Sequence, residues 1–423
     1  MRSNAAKFAL SFSVTLAAAG IALAAVFWLR PGLNPLRAQS RTASGSGPSG
    51  PSGPSGQSGS SGSSGASAPP SSAVPALPAG WEDNGVFSKW YPQAYRKLQT
   101  MTLSQKVGQV MLARCPENGA AQAREYQPGG YVLFARDFSG KNAAQVRAAT
   151  ASYQAASKIP MLLSTDEEGG TVVRISSNPR LASSPFRSPR RVYDAGGLAA
   201  IRADTAKKAA LLESLGLNLN LAPVADVSRN PGDYIYPRAL GLSAAATGRY
   251  VAAVVETARQ AGISSTLKHF PGYGDNKNTH TGISIDRRPY STFETSDFIP
   301  FENGIAAGAE SVLVSHNIVT CMDADTPASL SPAVHKILRQ TLRFTGVIMT
   351  DDLSMDAVKL YAHGKDPSVQ ALLAGNDLLL TDDLPASCAA VTAAVEDGTV
   401  PQATLDRAVW RVLAWKYAEG MLK

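Results

Sequence analysis

The residues best suited to chemistry are acids, histidines and cations that directly follow short apolar segments of the chain. Such segments lead into Asp166, Asp226 and Lys268-His269, and later ones lead into His316 and Asp351-Asp352. Carboxylates and imidazoles exchange protons with bound molecules near neutral pH, and Lys and Arg side chains bind oxygen atoms. The set therefore predicts acid–base or nucleophilic chemistry on a polar substrate.

Several other kinds of site do not match the spacing of these residues. The three cysteines, Cys115, Cys321 and Cys388, fit no zinc motif and cannot form a disulfide framework. The chain has no Gly-x-Ser-x-Gly serine motif, and its one Gly-x-Gly-x-x-Gly match, at residues 45–50, lies in low-complexity sequence. We therefore predict no metal and no cofactor, and the remaining combination of carboxylates with hydroxyl-binding cations fits sugar hydrolysis.

Eight short apolar runs of β type alternate with stretches of helical periodicity from residue 102 onward. The runs are 109–113, 130–134, 161–164, 217–221, 264–267, 311–314, 346–349 and 377–380. Strands that alternate with helices pair in parallel, and eight units in about 320 residues predict an α/β fold of the (β/α)8 TIM-barrel type. All strand ends would then meet at one face, where barrel enzymes build their active sites. A doubly wound open sheet is the alternative, but it does not require eight units.

Five segments carry patterns that go beyond strand periodicity. They are 166–174 (DEEGGTVVR), 222–227 (APVADV), 238–241 (RALG), 268–275 (KHFPGYGD) with His280 five residues later, and 347–355 (VIMTDDLSM). Together they resemble, in order along the chain, the motifs of the β-N-acetylglucosaminidases of glycoside hydrolase family 3. The resemblance covers about residues 100–385 and is specific for the family more than for the substrate.

The resemblance implies a retaining glycosidase with Asp351 as the nucleophile and His280 as the general acid/base. The residues implied to hold the hydroxyl and N-acetyl groups of the sugar are Asp166, Arg174, Arg238, Lys268 and His269. A carboxylate at a strand end can attack the anomeric carbon and form a covalent glycosyl-aspartate. An imidazole can protonate the leaving oxygen and later deprotonate water. By position alone Asp352 is a rival nucleophile, and only the family pattern selects Asp351.

The neighbourhood of His280 departs from the family pattern. The family places an Asp two residues before this His, whereas the chain has Asn278, which cannot stabilise an imidazolium as a carboxylate does. Either another carboxylate compensates, with Asp275 the nearest candidate, or protonation of the leaving group matters less, or activity is low. Tyr273 and Thr171 replace a His and an Arg of the family, so we expect an altered substrate preference.

The formal net charge of +7 belongs mostly to the amino-terminal segment. Residues 1–78 hold five basic and no acidic residues, which leaves 35 basic and 33 acidic residues in 79–423, so nucleic acid is not an expected partner. Residues 8–29 are an uncharged run long enough for a transmembrane helix, and residues 31–78 form a Gly/Ser/Pro-rich disordered linker. The sequence thus predicts a membrane anchor or signal segment (1–30), a linker (31–78) and a barrel domain (79–423).

The leading functional hypothesis is a β-N-acetylhexosaminidase that removes N-acetylglucosamine-type residues from cell-wall or other glycans. The barrel domain is expected outside the cell, held by a single membrane pass, or secreted if the first segment is cleaved. The same family suggests a β-glucosidase or xylosidase, although few residues remain for its second domain, or a phosphorylase. A degenerate, tethered sugar-binding protein is the alternative from another class, and Asn278 supports it. The natural glycan and the oligomeric state stay open.

Overall fold

Eight parallel strands form a barrel wall in the computed structural model, which describes residues 77–276, 282–359, 361 and 364–423. With all described strands numbered in chain order, the wall consists of β1 (Met111–Arg114), β2 (Gly130–Leu133), β3 (Leu162–Thr165), β4 (Leu219–Asn220), β5 (Ser264–Phe270), β7 (Ser311–Val314), β9 (Val347–Thr350) and β10 (Leu379–Thr381). A separate parallel pair joins β6 (Ile285–Asp286) to β8 (Ile318–Val319). The wall agrees with the barrel part of the predicted fold.

The order of the strands shows that the sheet nearly closes on itself. Neighbouring strands follow the order β10-β1-β2-β3-β4-β5-β7-β9. At the seam between β9 and β10, Met349 forms a parallel bridge with Leu378, and the Thr350 N–H donates to the Leu378 carbonyl at 3.1 Å. Because every strand of the wall runs in the same direction, the segments that follow the strands collect at one end of the barrel.

Helices alternate with the strands and cover the outside of the wall. The α-helices of the described residues are α1 (Tyr91–Gln99), α2 (Leu103–Gln109), α3 (Gly119–Tyr126), α4 (Ala135–Phe138), α5 (Ala143–Ala156), α6 (Pro189–Ser214), α7 (Ala244–Gln260), α8 (Tyr290–Thr292), α9 (Phe298–Ala306), α10 (Pro332–Lys336), α11 (Asp356–Lys359), α12 (Pro367–Ala374), α13 (Leu384–Glu396) and α14 (Gln402–Ala418). Side-chain caps mark where several helices begin. Thr102, Asn142 and Ser243 each accept a hydrogen bond from a backbone N–H of the first turn.

The last helix, α14, packs against residues at the amino-terminal end of the barrel. Its Trp415 indole N–H donates to Ser264 Oγ at 3.0 Å, where β5 begins. Its Lys416 Nζ donates to Gln109 Oε1 at 2.7 Å, just before β1. Trp410 and Trp415 are fully buried, and truncating such a side chain to Ala costs about 3–5 kcal/mol. Helix α14 therefore contributes strongly to the stability of the barrel.

The transmembrane helix included in the predicted fold class is not retained. Among the residues that the structure describes, no helix is both long and apolar enough to cross a bilayer. Residues 8–29, on which the prediction rested, lie outside the described residues, as does the linker up to residue 76. A run of apolar residues shows only that the segment is long enough to cross a bilayer, not that it does so. The corrected fold class is a parallel eight-stranded α/β barrel.

Candidate active site

A cavity of about 470 Å³ opens at the carboxyl ends of the strands. The acidic, basic and histidine side chains of its lining are Arg114, Asp166, Glu168, Arg174, Arg238, Lys268, His269, Asp351 and Asp352. Six of the residues predicted for the site are thus brought together, namely the five implied sugar-binding residues and Asp351. Apart from His269, the lining has four acids and four cations. A wall that is balanced in charge suits an uncharged polar ligand.

Lys268, near the end of β5, joins two carboxylates of the loop that follows β3. Its Nζ lies 2.7 Å from Asp166 Oδ1 and 2.6 Å from Glu168 Oε1, and its side chain is only 3% exposed. Glu168 also binds Arg238 through two bonds, Nη2 to Oε1 at 2.7 Å and Nε to Oε2 at 2.9 Å. Buried charges are tolerated only when they are paired and hydrogen-bonded, so these side chains hold one another in place.

His269, the next residue of β5, is oriented by Asp226. Its Nδ1 lies 2.7 Å from Asp226 Oδ2, and its backbone N–H donates to the same oxygen at 3.1 Å. The other ring nitrogen, Nε2, lies 3.0 Å from Arg238 Nη2. A guanidinium group can only donate, so Nε2 is the acceptor and Nδ1 carries the proton toward Asp226. The ring is therefore held in one neutral tautomer as part of the cavity wall.

Burial and charge pairing act in opposite directions on the pKa values of these groups. Burial raises the pKa of Glu168, but the charges of Arg238 and Lys268 outweigh it and hold the pKa well below its usual range. Burial lowers the pKa of Lys268, and the carboxylates of Asp166 and Glu168 raise it above its usual value. Both groups are therefore charged at neutral pH, which makes Glu168 unsuited to donate a proton to a substrate.

The two carboxylates that follow β9 have different surroundings. Asp352 is 6% exposed, pairs with Arg114 Nε and accepts the Ser354 N–H at 2.9 Å. Asp351 is partly exposed in the cavity, and its Oδ1 accepts the Asp352 N–H at 2.8 Å. Its own N–H donates to the Val314 carbonyl of β7 at 3.0 Å, which fixes the backbone. Asp351 is thus the more accessible carboxylate of the pair.

Glu167 is a buried carboxylate that shapes the loop after β3, and its role was not predicted from the sequence. It accepts hydrogen bonds from the backbone N–H groups of Arg174 at 2.9 Å and Ile175 at 2.7 Å, and it also bonds Ser176 Oγ. These contacts fold the loop back, so that Asp166 and Arg174 line the same cavity. In the acidic run 166–168, the direction of each side chain could not be read from the sequence.

Other candidate residues are not among the described residues that line the cavity. His280 and Asn278 lie outside the described residues. Asp275 is exposed and does not line the cavity. His316 is fully buried, with Nδ1 2.7 Å from Ser329 Oγ and Nε2 2.9 Å from the Asp352 carbonyl. His316 therefore supports the backbone after β9. The assignment of His280 as the general acid/base rests on the sequence motif alone.

Comparisons of the sequence with known proteins agree on one family. Residues 102–415 match the model of the glycosyl hydrolase family 3 N-terminal domain. Over 257 residues the chain is 35% identical to a β-hexosaminidase of Xanthomonas oryzae pv. oryzae, an alignment that covers 59% of this chain and 75% of the relative.

Solved structures support the same assignment. A family 3 β-N-acetylglucosaminidase from Paenibacillus sp. superposes with a TM-score of 0.71 and 30% identity over 76% of this chain, and the match spans 63% of that protein. A β-N-acetylhexosaminidase from Beutenbergia cavernae gives a TM-score of 0.68 and 27% identity over 76% of this chain and 99% of that one. The family model spans most of the barrel domain, and the resemblance noted in the sequence is confirmed. The chain belongs to glycosyl hydrolase family 3 and is a glycoside hydrolase.

Proposed function

We propose that this protein is a retaining β-N-acetylhexosaminidase that releases terminal N-acetylglucosamine-type residues from cell-wall or other glycans. The observation that carries the proposal is one cavity in which the partly exposed Asp351 lies together with paired, buried hydrogen-bonding groups. Fixed carboxylate, ammonium and guanidinium groups match the hydroxyl and amide groups of an uncharged amino sugar. The names of the similar proteins from Xanthomonas, Paenibacillus and Beutenbergia point to the same substrate class.

In the proposed reaction, a carboxylate oxygen of Asp351 attacks the anomeric carbon. The bond from that carbon to the leaving oxygen breaks, and the leaving oxygen takes a proton from His280. A glycosyl ester of Asp351 results, and His280 then deprotonates the water that cleaves the ester. The two displacements retain the configuration of the sugar. The part assigned to His280 rests on its motif and on the ordinary pKa of an imidazole, near 6.5.

The binding wall has a separate task in this scheme. Lys268, Asp166 and Arg238 hold the sugar so that its anomeric carbon meets Asp351 in a productive geometry. Because their partners keep them ordered before substrate arrives, little side-chain entropy remains to be lost on binding. His269 presents a ring whose proton is engaged by Asp226, so it orients the sugar and does not transfer protons in this scheme.

The test compares turnover of an aryl β-N-acetylglucosaminide with that of the corresponding β-glucoside. We expect preference for the N-acetyl substrate and a loss of at least about 10³-fold in kcat for Asp351→Asn. Asp382→Asn is the matched control, because Asp382 follows β10 at the same end of the barrel, is exposed and does not line the cavity.

Three outcomes would change the proposal. Turnover that survives Asp351→Asn would remove Asp351 from the mechanism. Release of the sugar as its 1-phosphate, instead of as the free sugar, when phosphate is added would identify a phosphorylase. Binding of the sugar without any turnover would identify a sugar-binding protein.

A further inference from the structure

A second cavity, of about 640 Å³, opens beside the amino-terminal end of the barrel. Phe344 and Thr345 line it just before β9, and Asp377 lines it just before β10. Helix α14 contributes Arg407 and Arg411. The catalytic cavity is built from side chains at the opposite ends of the strands, and the two linings share no residue.

Cations outnumber acids in this amino-terminal cavity. Its charged lining residues, apart from His335, are Asp83, Lys336, Arg339, Asp377, Arg407 and Arg411. Arg339 Nη2 and Arg411 Nη1 both pair with Asp377, whose Oδ2 also accepts a backbone N–H of β9 at 2.9 Å. Asp83 accepts a tyrosine hydroxyl at 2.6 Å. Both carboxylates are therefore engaged by other groups, and two positive charges remain in excess.

The excess charge falls on groups with free hydrogen-bonding capacity. Within the described ranges, Lys336 and Arg407 form no salt bridge. Both residues are exposed as a whole, and Arg407 Nη2 donates to the Gly80 carbonyl at 3.1 Å. Arg411 is 7% exposed, and its Nε has no hydrogen-bond partner among the described residues. A buried N–H without an acceptor costs about 1–3 kcal/mol, so an acceptor that reached this group would offset that cost.

The pKa values of two arginines in this cavity, Arg339 and Arg407, reflect the same excess of positive charge. Burial, and then the charge of Arg411, lowers the pKa of Arg339 to about 10. Burial and the charge of Arg411 also lower the pKa of Arg407. Guanidinium groups that repel one another in one cavity are short of negative charge, and a bound anion would relieve the repulsion.

We propose that the amino-terminal cavity binds a phosphate-class oxyanion between Lys336, Arg407 and Arg411. A guanidinium presents several N–H donors in a planar fork that fits phosphate oxygens, and an ammonium adds a point charge. The cavity is far larger than the roughly 30 Å³ that one water occupies, so a phosphomonoester also fits. The aromatic rings of Trp81 and Phe344 line the remaining space.

The test measures binding to the full chain by calorimetry at constant ionic strength, with inorganic phosphate and with glycerol 3-phosphate. We expect the double variant Lys336→Gln/Arg407→Gln to bind both at least about tenfold more weakly, because charge-assisted hydrogen bonds are lost. The matched control is Arg191→Gln, since Arg191 is an exposed cation of α6 that lines neither cavity. Circular dichroism verifies that each variant is folded, and Arg407→Gln alone serves if the double variant is not.

Comparison of the two ligands identifies the occupant of the site, and one further variant tests which cavity binds it. Tighter binding of glycerol 3-phosphate indicates an organic phosphate as the occupant, and equal binding indicates free phosphate. Asp351→Asn should bind phosphate as the wild type does, because Asp351 lies in the other cavity. The proposal is overturned if the wild type gives no binding signal up to about 50 mM phosphate. A Kd above that concentration means a binding free energy weaker than about 2 kcal/mol. Unchanged binding in the double variant overturns it as well.

Discussion

The two ends of the barrel pair their buried charges in the same way, but the cavities at the two ends differ in net charge. At the carboxyl ends, Glu168 lies between Arg238 and Lys268, and the acids and cations of the whole cavity are equal in number. At the amino-terminal end, Asp377 lies between Arg339 and Arg411, but Lys336 and Arg407 have no carboxylate partner among the residues that the structure describes. A single ion pair therefore says little about the ligand, whereas the charge balance of the complete cavity does.

Substitution of the two ion-paired carboxylates, Glu168 and Asp377, has the largest expected effects, and only the effect on kcat/KM should differ between the two ends. Glu168→Gln and Asp377→Asn each leave two buried cations with a weaker partner, and breaking such pairs costs about 3–5 kcal/mol. We expect both variants to unfold at lower urea concentration. In the variants that fold, only Glu168→Gln should also lower kcat/KM, because Lys268 and Arg238 lose their orientation. A folded Asp377→Asn variant with equally reduced kcat/KM would show that the two ends are not independent.

Asn278 gives a second test, confined to the catalytic end. An Asp at this position can stabilise the imidazolium of His280, so Asn278→Asp is expected to raise kcat about tenfold. Asp275→Asn tests whether this exposed carboxylate takes over the role. If it does, Asp275→Asn lowers kcat in the wild-type background but not in the Asn278→Asp background. An unchanged or lower rate for Asn278→Asp would mean that His280 uses another partner or is not the acid/base.

The barrel strands could be located from the sequence because each is a short apolar run between polar turns. The run 264–267 became Ser264–Phe270, whereas 217–221 shortened to Leu219–Asn220. Helix α10 ends at Lys336, and a π-helical turn follows directly over Ile337–Thr341, a change that helical periodicity does not reveal. Strands β6 and β8 were missed because two residues each carry no periodicity. Period and composition thus place long elements but not local changes of hydrogen-bonding register.

The site was predictable only where a motif or a strand end marked it. Arg114 was missed because β1 ends in no recognisable motif, and its pairing with Asp352 joins residues far apart in sequence. Asp226 was considered as an acid or base, and the structure gives it the orientation of His269. His335, on α10, is only 4% exposed, a burial that its residue type does not predict. Side-chain direction depends on three-dimensional packing, which a single sequence does not display.

A smaller effect is expected from buried groups at the amino-terminal end that form no salt bridge within the described residues. Burial raises the pKa of Glu310, just before β7, from 4.5 to about 7. A raised pKa in the folded state contributes stability that is complete below pH 4.5 and is lost as pH rises through 7. Glu310→Gln should therefore stabilise the protein by about 2–3 kcal/mol at pH 8 and much less at pH 4.5. Urea denaturation at the two pH values measures the difference.

Lys416 provides the opposite pH dependence at the same end. Burial lowers its pKa from 10.5 to about 7, so its contribution to stability is complete above pH 10.5 and is lost as pH falls through 7. Lys416→Met should gain more stability at pH 6 than at pH 10, the reverse of Glu310→Gln. Lys268→Met is the control from the catalytic end. The pKa of Lys268 is raised, so this change should destabilise the protein at both pH values.

The smallest expected effect concerns the rim of the catalytic cavity. Tyr234 lines that cavity, is 37% exposed, and its ring centroid lies 5.7 Å from that of Tyr273. An aromatic face at the rim can stack on the sugar beyond the scissile bond, and such contacts contribute about 0.5–1.5 kcal/mol. Tyr234→Ala should therefore raise KM for N,N′-diacetylchitobiose by up to about tenfold with little change in kcat. Tyr234→Phe keeps the ring and should keep KM, so an equal rise in both variants would assign the effect to the hydroxyl instead of to stacking. Lys336→Gln/Arg407→Gln should leave this KM unchanged, because neither residue lines the cavity that contains Asp351.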